Sequence, residues 1–222
     1  MSPFPRGRIG LAGLVVAGLL SGCAFGPRPT QPPPCPTAAP TAEQAPGVIG
    51  EAVAVEVRTN IGAFTIELYP EQAPIATANF VLLVDCGFYH GISFHRVLAG
   101  FVAQAGDPQT RDNRGDFNGL GTGGPGYRFL IEPPADGLNY DPYVVAMANA
   151  GGTDTNGSQF FIDLADLNAR LERLYTIFGR VTQGTEVVDA IGRVPTNGAR
   201  GVPLDPVIIE GMSVQGPPAE SS

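Results

Sequence analysis

Val53-Ala54-Val55-Glu56-Val57-Arg58 alternates apolar and polar side chains, as a strand with one buried face does. Thr59-Asn60-Ile61-Gly62 supplies turn residues, and Ala63-Phe64-Thr65-Ile66-Glu67-Leu68-Tyr69 alternates again, so the two runs predict a hairpin. Pro70 to Pro74 breaks the pattern, and the apolar run Ile75 to Asp85 predicts a largely buried helix that stops at Gly87. Short strands separated by Gly-rich loops follow, at Ser93–Val97, Val102–Gly106, Tyr127–Ile131, Tyr143–Ala148, Gln159–Leu164 and Ile177–Val181. A second helix fits Thr185 to Ile191 after Gly184, and Val207–Val214 closes the domain. Many short strands with two helices predict a mainly β architecture, and on strand count a barrel and a sandwich are both open.

The first fifty residues follow other patterns. Arg6 and Arg8 precede an apolar run from Ile9 to Leu20, of signal-peptide length and short for a membrane span. The run ends Leu19-Leu20-Ser21-Gly22-Cys23, which resembles the bacterial lipobox. That resemblance implies removal of residues 1–22, lipidation of Cys23 and a place in the cell envelope, held to a membrane and facing away from the cytoplasm. Residues 23–47 are rich in Pro, Ala and Thr and read as an extended tether, reaching roughly 70 Å at ~3.1 Å per residue. Cys35 lies inside it; pairing with Cys86 is chemically open in an oxidising compartment, but a flexible partner disfavours it, and Cys86 is expected to be buried at a helix end. The domain is then 48–215, and residues 216–222 read as a disordered tail.

Composition removes several function classes. The net charge is −8, becoming −10 once Arg6 and Arg8 leave with the signal segment, and no basic run offers a nucleic-acid surface. All thirteen basic residues are Arg, so lysine chemistry is excluded. The three cysteines form no CxxC pair, which argues against a zinc knuckle or a redox motif.

Three blocks carry the chemistry. The first is Phe94-His95-Arg96-Val97-Leu98-Ala99-Gly100-Phe101-Val102-Ala103-Gln104-Ala105-Gly106-Asp107. The second is Met147-Ala148-Asn149-Ala150-Gly151, and the third Asn156-Gly157-Ser158-Gln159-Phe160-Phe161-Ile162. In this order and spacing they resemble the cyclophilin family of peptidyl-prolyl isomerases, over roughly Val53 to Val214. The resemblance implies a closed eight-stranded antiparallel β-barrel capped by two helices. It also implies isomerisation of Xaa–Pro bonds, proline-containing segments of folding proteins as partners, and neither metal nor cofactor. A monomer is expected.

Such a reaction loses amide resonance over a barrier of about 18–20 kcal/mol and breaks no covalent bond. The catalyst must hold the proline, exclude water and favour the twisted amide over both planar forms. In the twisted form the prolyl nitrogen regains a lone pair, which a fixed, always-charged guanidinium suits. By resemblance that group is Arg96, a residue that taken alone would read as a surface ion-pair partner. Gln104 matches the glutamine that positions the arginine, and Phe101 and Phe161 match the walls of the proline pocket. Val102 stands where the family often has methionine. Ala148, Asn149 and Ala150 match the segment that binds the substrate backbone, and Gln159 is expected to line the adjacent groove. Phe160 should point the other way, into the core.

The match loosens over Arg170-Leu171-Glu172-Arg173-Leu174-Tyr175. Leu171 aligns with a pocket leucine, and Tyr175 stands where many members have histidine and many bacterial ones tyrosine. Arg170 replaces the tryptophan of cyclosporin-binding members, and Glu172-Arg173-Leu174 replaces a tight Asp-Gly-Lys turn. These departures keep a second class open, a proline-peptide-binding chaperone or scaffold with little turnover. Gly121 to Gly126 formally matches GxGxxG but lies before a strand, so it reads as a loop. Asp107, Asp112, Asp116 and Asn118 lack EF-hand spacing. His95 with Ser158 lacks a nucleophile elbow, and His95 should face away from Arg96.

Overall fold

The computed structural model describes residues 32–111 and 121–217. The signal segment 1–22, Cys23, the tether up to residue 31, Asp112, Asp116 and Asn118 lie outside them, as does most of the C-terminal tail.

The chain builds a hairpin first: β1 (Ala54–Thr59) and β2 (Gly62–Leu68), joined through the predicted turn. Helix α2 (Pro74–Asp85) follows, preceded in the chain by a short helix α1 (Ala45–Ile49). Next come β3 (Arg96–Leu98), β4 (Val102–Ala105), β5 (Phe129–Leu130), β6 (Val144–Met147), β7 (Asp154–Asn156), β8 (Phe160–Asp163) and β9 (Ile177–Gln183). Helix α3 (Thr185–Gly192) leads to the minor pair β10 (Thr196–Asn197) and β11 (Val202–Pro203), and β12 (Ile209–Gln215) ends the fold. Eight strands form one antiparallel sheet in the order β12-β1-β2-β9-β6-β8-β4-β3; β5 pairs with β7.

The sheet curls but does not close. Its edges are β12 and β3, and between them stands one isolated bridge, Ser93 to Ile208, in place of a ladder. Phe94 N donates to Val207 O at 2.9 Å and Gly91 N to Ile209 O at 2.8 Å, so the start of β12 and the residues just before it meet the loop leading into β3 and not β3 itself. The expected closed barrel is therefore corrected to an open, curled eight-stranded sheet, because β3 is only three residues long and runs out of pairing length.

Alternation along the strands sorts two apolar clusters. Val55, Val57, Phe64, Ile66, Val97, Ala103, Ala105, Val145, Met147, Phe160 and Ile162 face inward. There Phe80 of α2 sits 4.9 Å from Phe178 and 5.6 Å from Phe160, ring centroid to centroid. On the opposite face Val102, Ala146, Phe161 and Ile177 form a second cluster with Tyr140, Val144 and Leu167. One sheet thus carries a structural core and a separate apolar surface, separated by the period-2 rule.

Helix α2 begins with Pro74, whose missing N–H would be unsatisfied in any case. Its next two N–H groups, of Ile75 and Ala76, donate to the Glu132 carboxylate at 3.0 and 2.8 Å, a cap reached from far along the chain. Gly184 enters α3 with φ 73°, and a Cβ there would stand 2.4 Å from Ala63 O, so only glycine fits.

The end of the expected tether is structured. Cys35 and Cys86 form a disulfide with a Cα–Cα distance of 5.0 Å. Ala45 and Ile49 of α1 pack on Ala78 of α2. The expectation that Cys86 is buried unpaired is corrected, as is a tether running to residue 47. Pro40, Ala45 and Ile49 are apolar groups with a surface to cover, and the cross-link holds their segment against it. Among the described residues no helix is long and apolar enough to cross a membrane.

Candidate active site

The register of the sheet assembles the site. Arg96 pairs with Gln104 across β3 and β4, Gln104 with Phe161 across β4 and β8, and Phe161 with Ala146 across β8 and β6. These residues form one row on the face away from the main core. Val102, two residues before Gln104, falls in the next row on the same face, opposite Asp163.

The polar end of the row is a hydrogen-bond chain. Arg96 Nη1 donates to Gln104 Oε1 at 3.3 Å, Gln104 Nε2 to Gln159 Oε1 at 2.9 Å, and Gln159 Nε2 to Gly123 O at 2.8 Å. Each amide donates in one direction and accepts from the other, so both side chains are oriented by their neighbours. The Arg96 guanidinium lies 5.8 Å from the Phe101 ring centroid.

The apolar end is walled by Phe101, Val102, Phe161, Leu171 and Tyr175, which belong to one cluster. Phe161 and Tyr175 meet edge-to-face at 5.4 Å. Phe160 points into the main core, as the alternation requires. The loop from Glu172 to Tyr175, which lacks the expected glycine, is fixed by two residues the sequence did not single out. Tyr140 Oη donates to Tyr175 O at 2.9 Å and accepts from Tyr175 N at 3.2 Å. Arg173 donates to the carbonyls of Pro134, Ala135 and Leu138.

Beside the row lies a cavity of about 710 Å³, lined by Gln104, Gln159, residues 148–150 and the glycine-rich segment 121–126. It takes in Ala148, Asn149, Ala150 and Gln159 but not Arg96, Phe101, Val102, Phe161, Leu171 or Tyr175, so the predicted residues divide between this groove and the apolar pocket. Ala148 N donates to Gln159 O at 2.9 Å, and Asn149 Nδ2 to Leu174 O at 3.0 Å, joining the two parts. The far wall hangs on buried Asp107, whose carboxylate accepts from the N–H groups of Gln109, Gly121 and Gly123. A Cβ on Gly123 would lie 2.1 Å from Asp107 Oδ1, so the GxGxxG-like run is glycine-rich for loop packing.

Two buried titratable groups flank this region. His95 is 5% exposed, with no side-chain hydrogen-bond partner for its ring nitrogens among the described residues, and burial pushes it down to about 4, with Asp107 opposing the effect and Arg96 adding to it. Asp163 is fully buried, with no partner for either carboxylate oxygen among the described residues, and burial, reinforced by Asp141, pushes it up to about 8. Ser158 Oγ donates to Gly106 O at 2.7 Å, which ties it to a backbone carbonyl and not to His95.

Residues 54–214 match the family model for cyclophilin type peptidyl-prolyl cis-trans isomerases. The chain belongs to that family. It is similar to peptidyl-prolyl cis-trans isomerase B of Streptomyces anulatus, with 40% identity over 75% of this chain and 99% of that protein. A peptidyl-prolyl cis-trans isomerase of Helicobacter pylori is 43% identical over 61% of this chain and 77% of its own length. Among solved structures, a cyclophilin type isomerase of Cryptosporidium parvum superposes with a TM-score of 0.66 and 33% identity, covering 75% of this chain and 99% of its own. The same protein in the presence of the dipeptide Ala-Pro superposes with a TM-score of 0.65. The chain is thus a cyclophilin with peptidyl-prolyl cis-trans isomerase activity.

Proposed function

We propose that this cyclophilin catalyses isomerisation by donating a hydrogen bond from Arg96 to the prolyl nitrogen of the twisted amide. The observation that carries the reading is the Arg96–Gln104 bond, in the same strand row as Phe161 and beside the ring of Phe101. Phe101, Val102, Phe161, Leu171 and Tyr175 hold the proline ring in a site that excludes water. Gln104 orients the guanidinium and reaches the substrate carbonyl. Ala148, Asn149, Ala150 and Gln159 align the extended segment, largely through backbone groups, so clients are chosen with little regard to most side chains. The Cryptosporidium parvum isomerase structure determined in the presence of the dipeptide Ala-Pro supports a proline peptide as the ligand.

The donor serves the transition state more than the ground state, because the planar amide nitrogen has no free lone pair to accept it. The clients are proline-containing segments of folding cell-envelope proteins, and lipidated Cys23 anchors the enzyme to the membrane. Exchange NMR on a short Ala-Pro peptide with the full-length chain tests the catalytic reading. Faster cis/trans exchange supports it, and line broadening without faster exchange assigns the site to a binding module. Labelled palmitate incorporated by wild type and lost in Cys23→Ser tests the anchor.

A further inference from the structure

Arg170 is exposed on the turn that follows Leu167, yet its guanidinium is fixed. It stacks over the Phe101 ring at 4.5 Å from the centroid, and its Nη1 donates to Gly100 O at 2.8 Å. Arg96 approaches the same ring at 5.8 Å. One wall of the pocket therefore carries two guanidinium groups. Neither has a carboxylate of the described residues within ion-pair distance. Asp166 and Glu172, exposed on the same loop, pair with neither. In a chain of net charge −8, two guanidinium groups meet on one ring of this rim.

Arg170 spends one N–H on Gly100, and its fork keeps further donors for a ligand. Its plane is already oriented by the stack, so a carboxylate meets a preorganised partner. A cationic group at the same place meets two like charges.

We propose that Arg170 is a specificity-determining residue that makes this isomerase prefer proline segments bearing a carboxylate next to the bound proline. The proposal rests on the reading that the pocket bounded by Phe101 and Phe161 takes the proline. An exposed charge pair of this kind corresponds to a preference of roughly two- to five-fold, weakening as salt screens it.

The test is exchange NMR with the full-length protein and three blocked peptides, acetyl-Glu-Ala-Pro-Glu-amide and its Gln and Lys counterparts. Each titration yields both the catalysed exchange rate and Kd. Efficiency should fall in the order Glu, Gln, Lys at low salt and converge at about 0.5 M salt. Arg170→Gln should lower the Glu-to-Lys ratio, and Arg170→Lys should keep most of it. A ratio near one in wild type, or one unchanged in Arg170→Gln, overturns the proposal. Binding in the order Glu, Gln, Lys with no faster exchange for any peptide would sink the catalytic reading and leave the charge preference standing.

Discussion

Arg96 and Gln104 face each other across β3 and β4, with the guanidinium Nη1 3.3 Å from the amide oxygen. The same amide donates to Gln159, so the arginine is oriented by a chain that ends on the backbone of Gly123. Gln104→Ala removes the acceptor and breaks the chain at its centre. A bond from a charged donor is worth about 1.5 kcal/mol or more, so kcat/KM should fall roughly tenfold, with most of the loss in kcat. Exchange NMR at several peptide concentrations measures the split. A loss confined to KM would mean that Gln104 only binds substrate.

The Cys35–Cys86 bond closes a loop with a sequence separation of 51. Cross-links of this kind stabilise by about 2–4 kcal/mol, mainly by restricting the unfolded chain. Cys35→Ser, or reduction of the wild type, should lower the unfolding free energy by that amount and free the segment before α1 to hydrogen exchange. Catalysis should persist, because neither cysteine approaches the Arg96 row. Equal urea midpoints with and without reductant would contradict this.

Asp163 and His95 give opposing pH dependences. The folded chain holds the Asp163 proton up to about pH 8, whereas the unfolded chain loses it near pH ~4. The stability this group contributes is full below the unfolded value and is lost as pH rises through the folded one. His95 is neutral in the fold down to about pH 4, against ~6.5 unfolded. Its contribution is present above the unfolded value and lost as pH falls through the folded one. Together they leave stability level from about pH 4 to 6.5 and falling from there to about 8, by at most ~1.4 kcal/mol per pH unit. Asp163→Asn should gain on wild type steadily from about pH 4 to 8 and then hold its lead. Urea unfolding at intervals across that range checks it; a constant difference would refute the assignment.

Gly123→Ala sets a methyl group 2.1 Å from Asp107 Oδ1 and 3.1 Å from Gln109 Cγ. Asp107 is buried and holds three N–H groups, so neither side yields easily. The variant should lose about 1–3 kcal/mol, as overpacked sites do. Its groove wall should shift, weakening peptide binding as seen by NMR titration. A fully stable variant with wild-type Kd would show the loop to be pliable.

Much of the fold was legible because burial on one face writes period-2 alternation directly into the chain. The hairpin β1–β2 follows from it, as does the inward turn of Phe160 once Phe161 faces the other way, whereas the row from Arg96 to Phe161 rests on the resemblance that the three blocks carry. The open edge was not legible, because closure depends on how long β3 pairs, and three residues give no pattern. The packing of Ala45 and Ile49 was hidden by the surrounding Pro, Ala and Thr, whose composition masks a few well-placed apolar contacts. Within the site, the three sequence blocks contain the arginine, the glutamines and the aromatic walls. Tyr140 and Arg173 were missed because they act on backbone carbonyls far along the chain, and no local spacing marks such a bond. Asp107 was weighed as a cation ligand, whereas its role is to gather backbone N–H groups of the glycine loop.

The central claim concerns Arg96, and its most direct test compares wild type, Arg96→Ala and Arg96→Lys by exchange NMR on one Ala-Pro peptide. Removing a transition-state donor of this kind costs roughly a hundredfold in rate. Arg96→Ala should fall by about that factor while keeping the amide spectrum of a folded sheet, and Arg96→Lys should recover only part, lacking the planar fork. A folded Arg96→Ala protein that catalyses exchange as fast as wild type would contradict the account.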